Sequence, residues 1–362
     1  MNEFERRIKK QLDLLITEYD HAKKQSEARN ILYSIKTIIQ LQEMFDNDIS
    51  LKTIRKRNTF YLQKEIENES RSYDLYVNDF EKNKKFHEKF IEDIVKKFDF
   101  FEHDYDGLKL KNFTELEKQE LINNFSKKTQ LPFDKIYNDL KTDNRIIVVP
   151  DFKKGYSGIT ILDIYNNCPF IIINSLKEDI FSITTLVHEI AHIMDASDKK
   201  GNELYHYDYS TIAREVNSLY LEKKFLNYCY NNNIQKENIV DEILLEPENI
   251  LDNMLSFLVY CNSTKRENIY NRIKINEKLE KILLDCNLEY EINDGYIDDF
   301  YSSTCYLYGE ILSIYFLEHP EKYNEFRQKR CCKFDPNLFI SLDITSDEIV
   351  KSLYKRYDKY IK

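Results

Sequence analysis

The sequence predicts a mostly helical protein with one small sheet set immediately ahead of a histidine-bearing helix. Three observations predict it. Only six glycines and six prolines occur in 362 residues, and so few breakers favour long helices. Apolar residues recur at helical spacing through both halves of the chain. A single region, residues 145–174, instead carries short β-branched runs bounded by turn residues.

In chain order, residues 1 to about 46 place Leu12, Leu15, Ile16 and Tyr19, then Ile31, Ile35, Ile38 and Ile39, on helical faces. A second helical stretch runs from about 56 to 100, its polar face dense in Lys and Glu. "NFTELEKQELINNF" opens with Thr114 followed by Glu117, the capping-box pattern of a helix start. "RIIVVP", "ITILDIY" and "FIIIN" then read as strands, with "NNCP" as the hairpin turn between the last two. Helical patterns resume after residue 180 and continue to the C-terminus, and Pro320 stops "STCYLYGEILSIYFLEHP". With no linker or repeat in view, the expected division is an N-terminal helical region, 1–140, and a second region, 141–362, that carries the chemistry.

Composition removes several function classes. Formal net charge is −10 with no acid-free stripe of Lys and Arg, so nucleic acid and anionic membrane are not expected partners. No run approaches the roughly 18 apolar residues of a membrane span. The N-terminus is charged and lacks the apolar core of a signal peptide. Seven cysteines without a CxxC pair suit free thiols, and the expected location is the cytoplasm.

The chemistry centres on "TTLVHEIAHIMD". Histidines four apart share a helix face, so His188 and His192 could reach one Zn²⁺ at about 2.0–2.1 Å. Glu189 stands beside that face, where it can act as general base on a water activated by the metal. Two third ligands are open. Asp198 lies six residues beyond His192, but the tight turn that would bring it back favours glycine where the chain has Asp195. Glu215 lies 23 beyond, on a helix that could return antiparallel, with Ser218 and Glu222 on its face. Asp195 is also a candidate for orienting a ligating imidazole.

"PFIIIN", "TLVHEIAH" and "EVNSLYLE" occur in that order, over Pro169–Asn174, Thr185–His192 and Glu215–Glu222. This combination resembles the oligopeptidase F and thimet oligopeptidase group of zinc metallopeptidases, over about residues 155 to 230. The resemblance implies a helical gluzincin fold with a small antiparallel sheet beside the HExxH helix and a substrate channel between helical lobes. It implies one zinc on His188, His192 and Glu215, with Glu189 as base, in a metalloendopeptidase of short or unstructured peptides. It also implies substrate contacts from the strand before the motif, at Phe170, Ile172 and Asn174, and from a glycine-bearing loop at Gly158. The chain departs from the family at Ala191 and Asp195, where the family has glycine and histidine, and it is shorter at its N-terminal side. Near 296–308 the family has a histidine and tyrosines that bind the developing oxyanion. Tyr296 stands at the histidine position here, while Tyr301 and Tyr308 match the tyrosines. That departure motivates an alternative, a peptide-binding protein descended from such a peptidase. The sequence leaves the oligomeric state open.

Overall fold

The computed structural model of the chain describes residues 3–22, 31, 35, 80–101, 103, 110–148, 157–161, 169–173, 178–198, 211–262, 300–329 and 338–361. Tyr296 and Asn174 lie outside the described residues, as do residues 56–79 of the second helical stretch. The described structure is mainly helical. Two compact units are each assembled from separate stretches of chain. One comprises Met1–Tyr76, Lys111–Tyr209 and Cys332–Phe334; the other comprises Val77–Leu110, Ser210–Cys331 and Asp335–Lys362.

In the first unit, α1 (Glu3–His21) buries Leu12 and Leu15. Following it among the described helices of this unit, α3 (Glu115–Thr129) starts at the expected capping box. The Thr114 hydroxyl accepts from the Glu117 N–H, and Glu117 accepts from the Thr114 N–H at 2.7 Å. α4 (Phe133–Thr142) packs back on α3, burying Phe133, Tyr137 and Leu140. Asn144, at φ 52°, turns the chain into the sheet, a backbone state that asparagine tolerates better than most residues.

The sheet holds β1 (Ile146–Val148), β2 (Gly158–Ile161) and β3 (Phe170–Ile173), with β3 in the centre. β2 and β3 pair antiparallel, as the hairpin reading expects, with Ile161 opposite Phe170. β1 pairs parallel with β3, Ile146 opposite Ile171, so the sheet is mixed rather than wholly antiparallel. All four β3 residues are buried, as suits a strand enclosed on both faces. α5 (Ile180–Asp198) lies against β2 and β3 and buries Ile183, Leu186, Val187 and Ile190. The Asp179 carboxylate accepts from the Ser182 N–H at 3.0 Å and caps the start of α5.

The regular elements described in the second unit are all helical. It contains α2 (80–97), α6 (Thr211–Asn231), α7 (Lys236–Asn262), α8 (Phe300–Glu318), α9 (Pro320–Lys329) and α10 (Ser346–Tyr357), with a 3₁₀ turn at Leu338–Leu342. Pro320 both follows the end of α8 and opens α9, the first-turn position where its missing N–H costs nothing. α8 is the centre of this unit. It packs on α6, α7, α9 and α10 and buries Leu307, Ile311, Leu312, Ile314 and Phe316 around its circumference.

Candidate metal centre

α5 sets the two histidines on one face, as their spacing requires. Their Nε2 atoms stand 3.2 Å apart, with ring centroids 4.8 Å apart and planes at 79°. Both rings are half-buried. A neutral imidazole has one protonated and one bare ring nitrogen, so at most one proton fits between these two atoms.

Glu189 is 5% exposed. Its Oε2 accepts from the Thr160 hydroxyl at 2.5 Å, and that hydroxyl also lies 2.9 Å from the Glu189 main-chain oxygen. β2 comes this close to α5 because residue 158 is glycine. A Cβ there would stand 2.6 Å from Thr185 Cγ2 and 2.8 Å from Glu189 Oε1. Gly158 is thus a place of close approach between strand and helix, beside the carboxylate of the motif. Neither Thr160 nor this contact was legible in the sequence, where Thr160 is one residue of an ordinary alternating strand.

Asp198 is still within α5, so the helix continues past Asp195 without a turn. Six helical residues advance about 9 Å along the axis, which carries Asp198 away from the histidines rather than back to them. Asp195 is buried, one turn beyond His192.

Glu215 is a half-buried residue of α6 in the second unit. Gly309 of α8 presses against it: a Cβ on Gly309 would stand 3.2 Å from Glu215 Cβ and 2.7 Å from Leu219 Cδ1. His188 and His192 in the first unit and Glu215 in the second are two imidazoles and one carboxylate, residue types that can each offer a metal one ligand atom. Ser218 is fully buried, but its hydroxyl lies 3.1–3.2 Å from the main-chain oxygens of Glu215 and Arg214 on its own helix. Glu222 contributes negative charge around Lys223, Glu242 and Glu310.

The residues expected to meet substrate fare differently. Phe170 and Ile172 are buried in the central strand; Ile172 is paired with Ile147 on one side and Ile159 on the other, and Phe170 with Ile161 on the β2 side. Among the described strands the outer edges belong to β1 and β2. Tyr301 lies in the first turn of α8. Tyr308 is completely buried in the core of the second unit, 2.7 Å from His87 Nδ1 and packed edge-on against Phe257. Burial pushes its phenol well above the ordinary range.

No protein-family model and no curated protein matches the chain. Several solved structures are similar. A Chlamydophila abortus protein assigned as a peptidase aligns at 14% identity and TM-score 0.48, over 92% of this chain and 61% of its own. A protein of Bacillus anthracis strain Ames assigned as an oligoendopeptidase F aligns at 14% and 0.49, over 96% and 69%. PZ peptidase A, solved with an inhibitor, aligns at 13% and 0.49, over 93% and 76%. The chain thus spans less than two thirds of the first of these proteins. At identities this low the chemistry has to be argued from the residues of this chain.

Proposed function

We propose that this protein is a zinc-dependent metallopeptidase of short or unstructured peptides, with His188, His192 and Glu215 holding one zinc and Glu189 as general base. The observation that carries the reading is the convergence of the His188 and His192 Nε2 atoms at 3.2 Å, on the helix that also buries Glu189. Two imidazoles and a carboxylate suit a catalytic zinc site, which keeps one position open. When bound, zinc supplies a Lewis acid for the peptide carbonyl and makes a water acidic enough to ionise near neutral pH.

The rest of the work falls to the chain. Glu189 takes the proton of the attacking water and delivers it to the leaving amine. Its Oε2 is held by Thr160, and its Oε1 lies over Gly158, where no side chain competes for the space. An extended peptide adding to the outer edge of β2 runs beside the strand that touches Glu189, and its backbone groups supply the affinity. Tyr301 and Tyr296 are the proposed donors to the oxyanion. Tyr308 is left out of that role, because its hydroxyl is enclosed in the core against His87.

Mass spectrometry of a mixed peptide library incubated with zinc-loaded protein tests the reading, with Glu189→Gln alongside. Cleavage by the parent that falls about 10²–10⁴-fold in the variant is the expected result. Zinc binding without cleavage by either protein would favour a peptide-binding protein instead.

A further inference from the structure

We infer that Thr160 is the positioning residue of the general base, its hydroxyl fixing the Glu189 carboxylate in the orientation that turnover requires. The inference rests on the metallopeptidase reading above and adds a residue that the metal-binding motif does not contain.

The geometry singles Thr160 out. Its hydroxyl has one proton and two acceptors within reach, the Glu189 main-chain oxygen at 2.9 Å and Oε2 at 2.5 Å. The shorter contact is to the carboxylate, and hydrogen bonds to an ionised oxygen are both shorter and stronger than neutral ones. If the residue served only to pin β2 to α5, the main-chain oxygen would suffice. The side chain of Glu189 is also confined from the other side. Gly158, two residues earlier on the same strand face, brings the β2 backbone against Oε1 and Cγ. Glycine and threonine at i and i+2 therefore form one cradle for one carboxylate: glycine makes the room and threonine fixes the rotamer. A carboxylate so held loses little freedom when it accepts the proton of the attacking water, whereas a loose one would have to be ordered at each turnover.

Two substitutions separate positioning from packing. Thr160→Val keeps the branched shape and strand preference but removes the hydroxyl, and Thr160→Ser keeps the hydroxyl but removes the methyl. Thr160→Val is expected to lower kcat about 10–100-fold, with KM and zinc content unchanged, the range typical of partners that orient active-site groups. Thr160→Ser is expected to restore most of kcat. A second readout does not depend on turnover. In a double-mutant cycle, the shifts in Tm caused by Thr160→Val and Glu189→Ala are expected to be non-additive. Parent-like kcat in Thr160→Val, an effect on KM alone, failure of serine to rescue, or additive Tm shifts would each overturn the inference. A parent that cleaves nothing would overturn the functional reading and this role with it, a result distinct from a parent that cleaves and a valine variant that cleaves equally well.

Discussion

In the second unit, Glu246 is surrounded by groups of complementary charge. Arg356 donates to it through Nε and a terminal nitrogen, each at 2.6 Å, Lys223 approaches at 3.3 Å, and the Tyr357 hydroxyl donates at 3.1 Å. Lys223 reaches on to Glu310 at 2.6 Å. In the first unit, α5 brings together groups of the same kind: two imidazole nitrogens at 3.2 Å, with a buried carboxylate on the next residue. The first cluster is closed around Glu246 and Glu310, because each of them has a base within reach and burial strengthens the pairing. In the second the neighbours are two imidazoles rather than a fixed positive charge, and the function proposed above gives them a cation to share. Both clusters bury polar atoms on helices, so burial alone does not separate a structural site from a chemical one. The sign and kind of the neighbours do.

The closed cluster should respond to substitution as structure. Burial opposes charge on Glu246, yet Arg356 and Lys223 hold its carboxyl below the usual range. Lys223→Met leaves Glu246 and Glu310 short of a cation, so unfolding free energy should fall by about 3–5 kcal/mol in a denaturant titration. A loss well under 1 kcal/mol would show that the cluster is not closed in the sense described.

A smaller, pH-dependent effect is expected from Glu242. Burial, then the negative charges of Glu222 and Glu246, push its carboxyl up to about 7, with Lys223 pulling the other way. A carboxyl raised in the folded state contributes stability that is fully present below its unfolded value near 4.5 and is lost as pH rises through about 7. Glu242→Gln should therefore stabilise the fold above pH 7, by up to about 3 kcal/mol, and flatten stability between pH 5 and 8. Parallel pH profiles for parent and variant would place Glu242 outside the network.

Local patterns in the sequence carried much of this. The i, i+4 spacing put His188 and His192 on one face, Thr114 and Glu117 announced the start of α3, and the β-branched runs located the three strands among the described residues. What the sequence concealed was non-local. The parallel pairing of β1 with β3 joins segments about 25 residues apart in sequence and leaves no trace in either strand's alternation. Lys223, Glu246, Glu310 and Arg356 read as ordinary polar positions of Lys- and Glu-rich helices, because one helix's pattern cannot report that its charge faces another helix. Tyr308 looked available for catalysis until His87, 221 residues away, proved to be its partner. Thr160 was hidden in the same way: its significance lies in what stands opposite it.

The proposal that His188, His192 and Glu215 are the ligands of one zinc is tested most directly by zinc stoichiometry after exhaustive dialysis. Parent, His188→Ala, His192→Ala, Glu215→Ala and Asp198→Ala would be measured by elemental analysis, with folding checked by circular dichroism. The expected result is one zinc per chain in the parent and in Asp198→Ala, and loss of tight binding in the other three. A parent that retains no zinc, or histidine variants that retain it at the parent level, would contradict the claim.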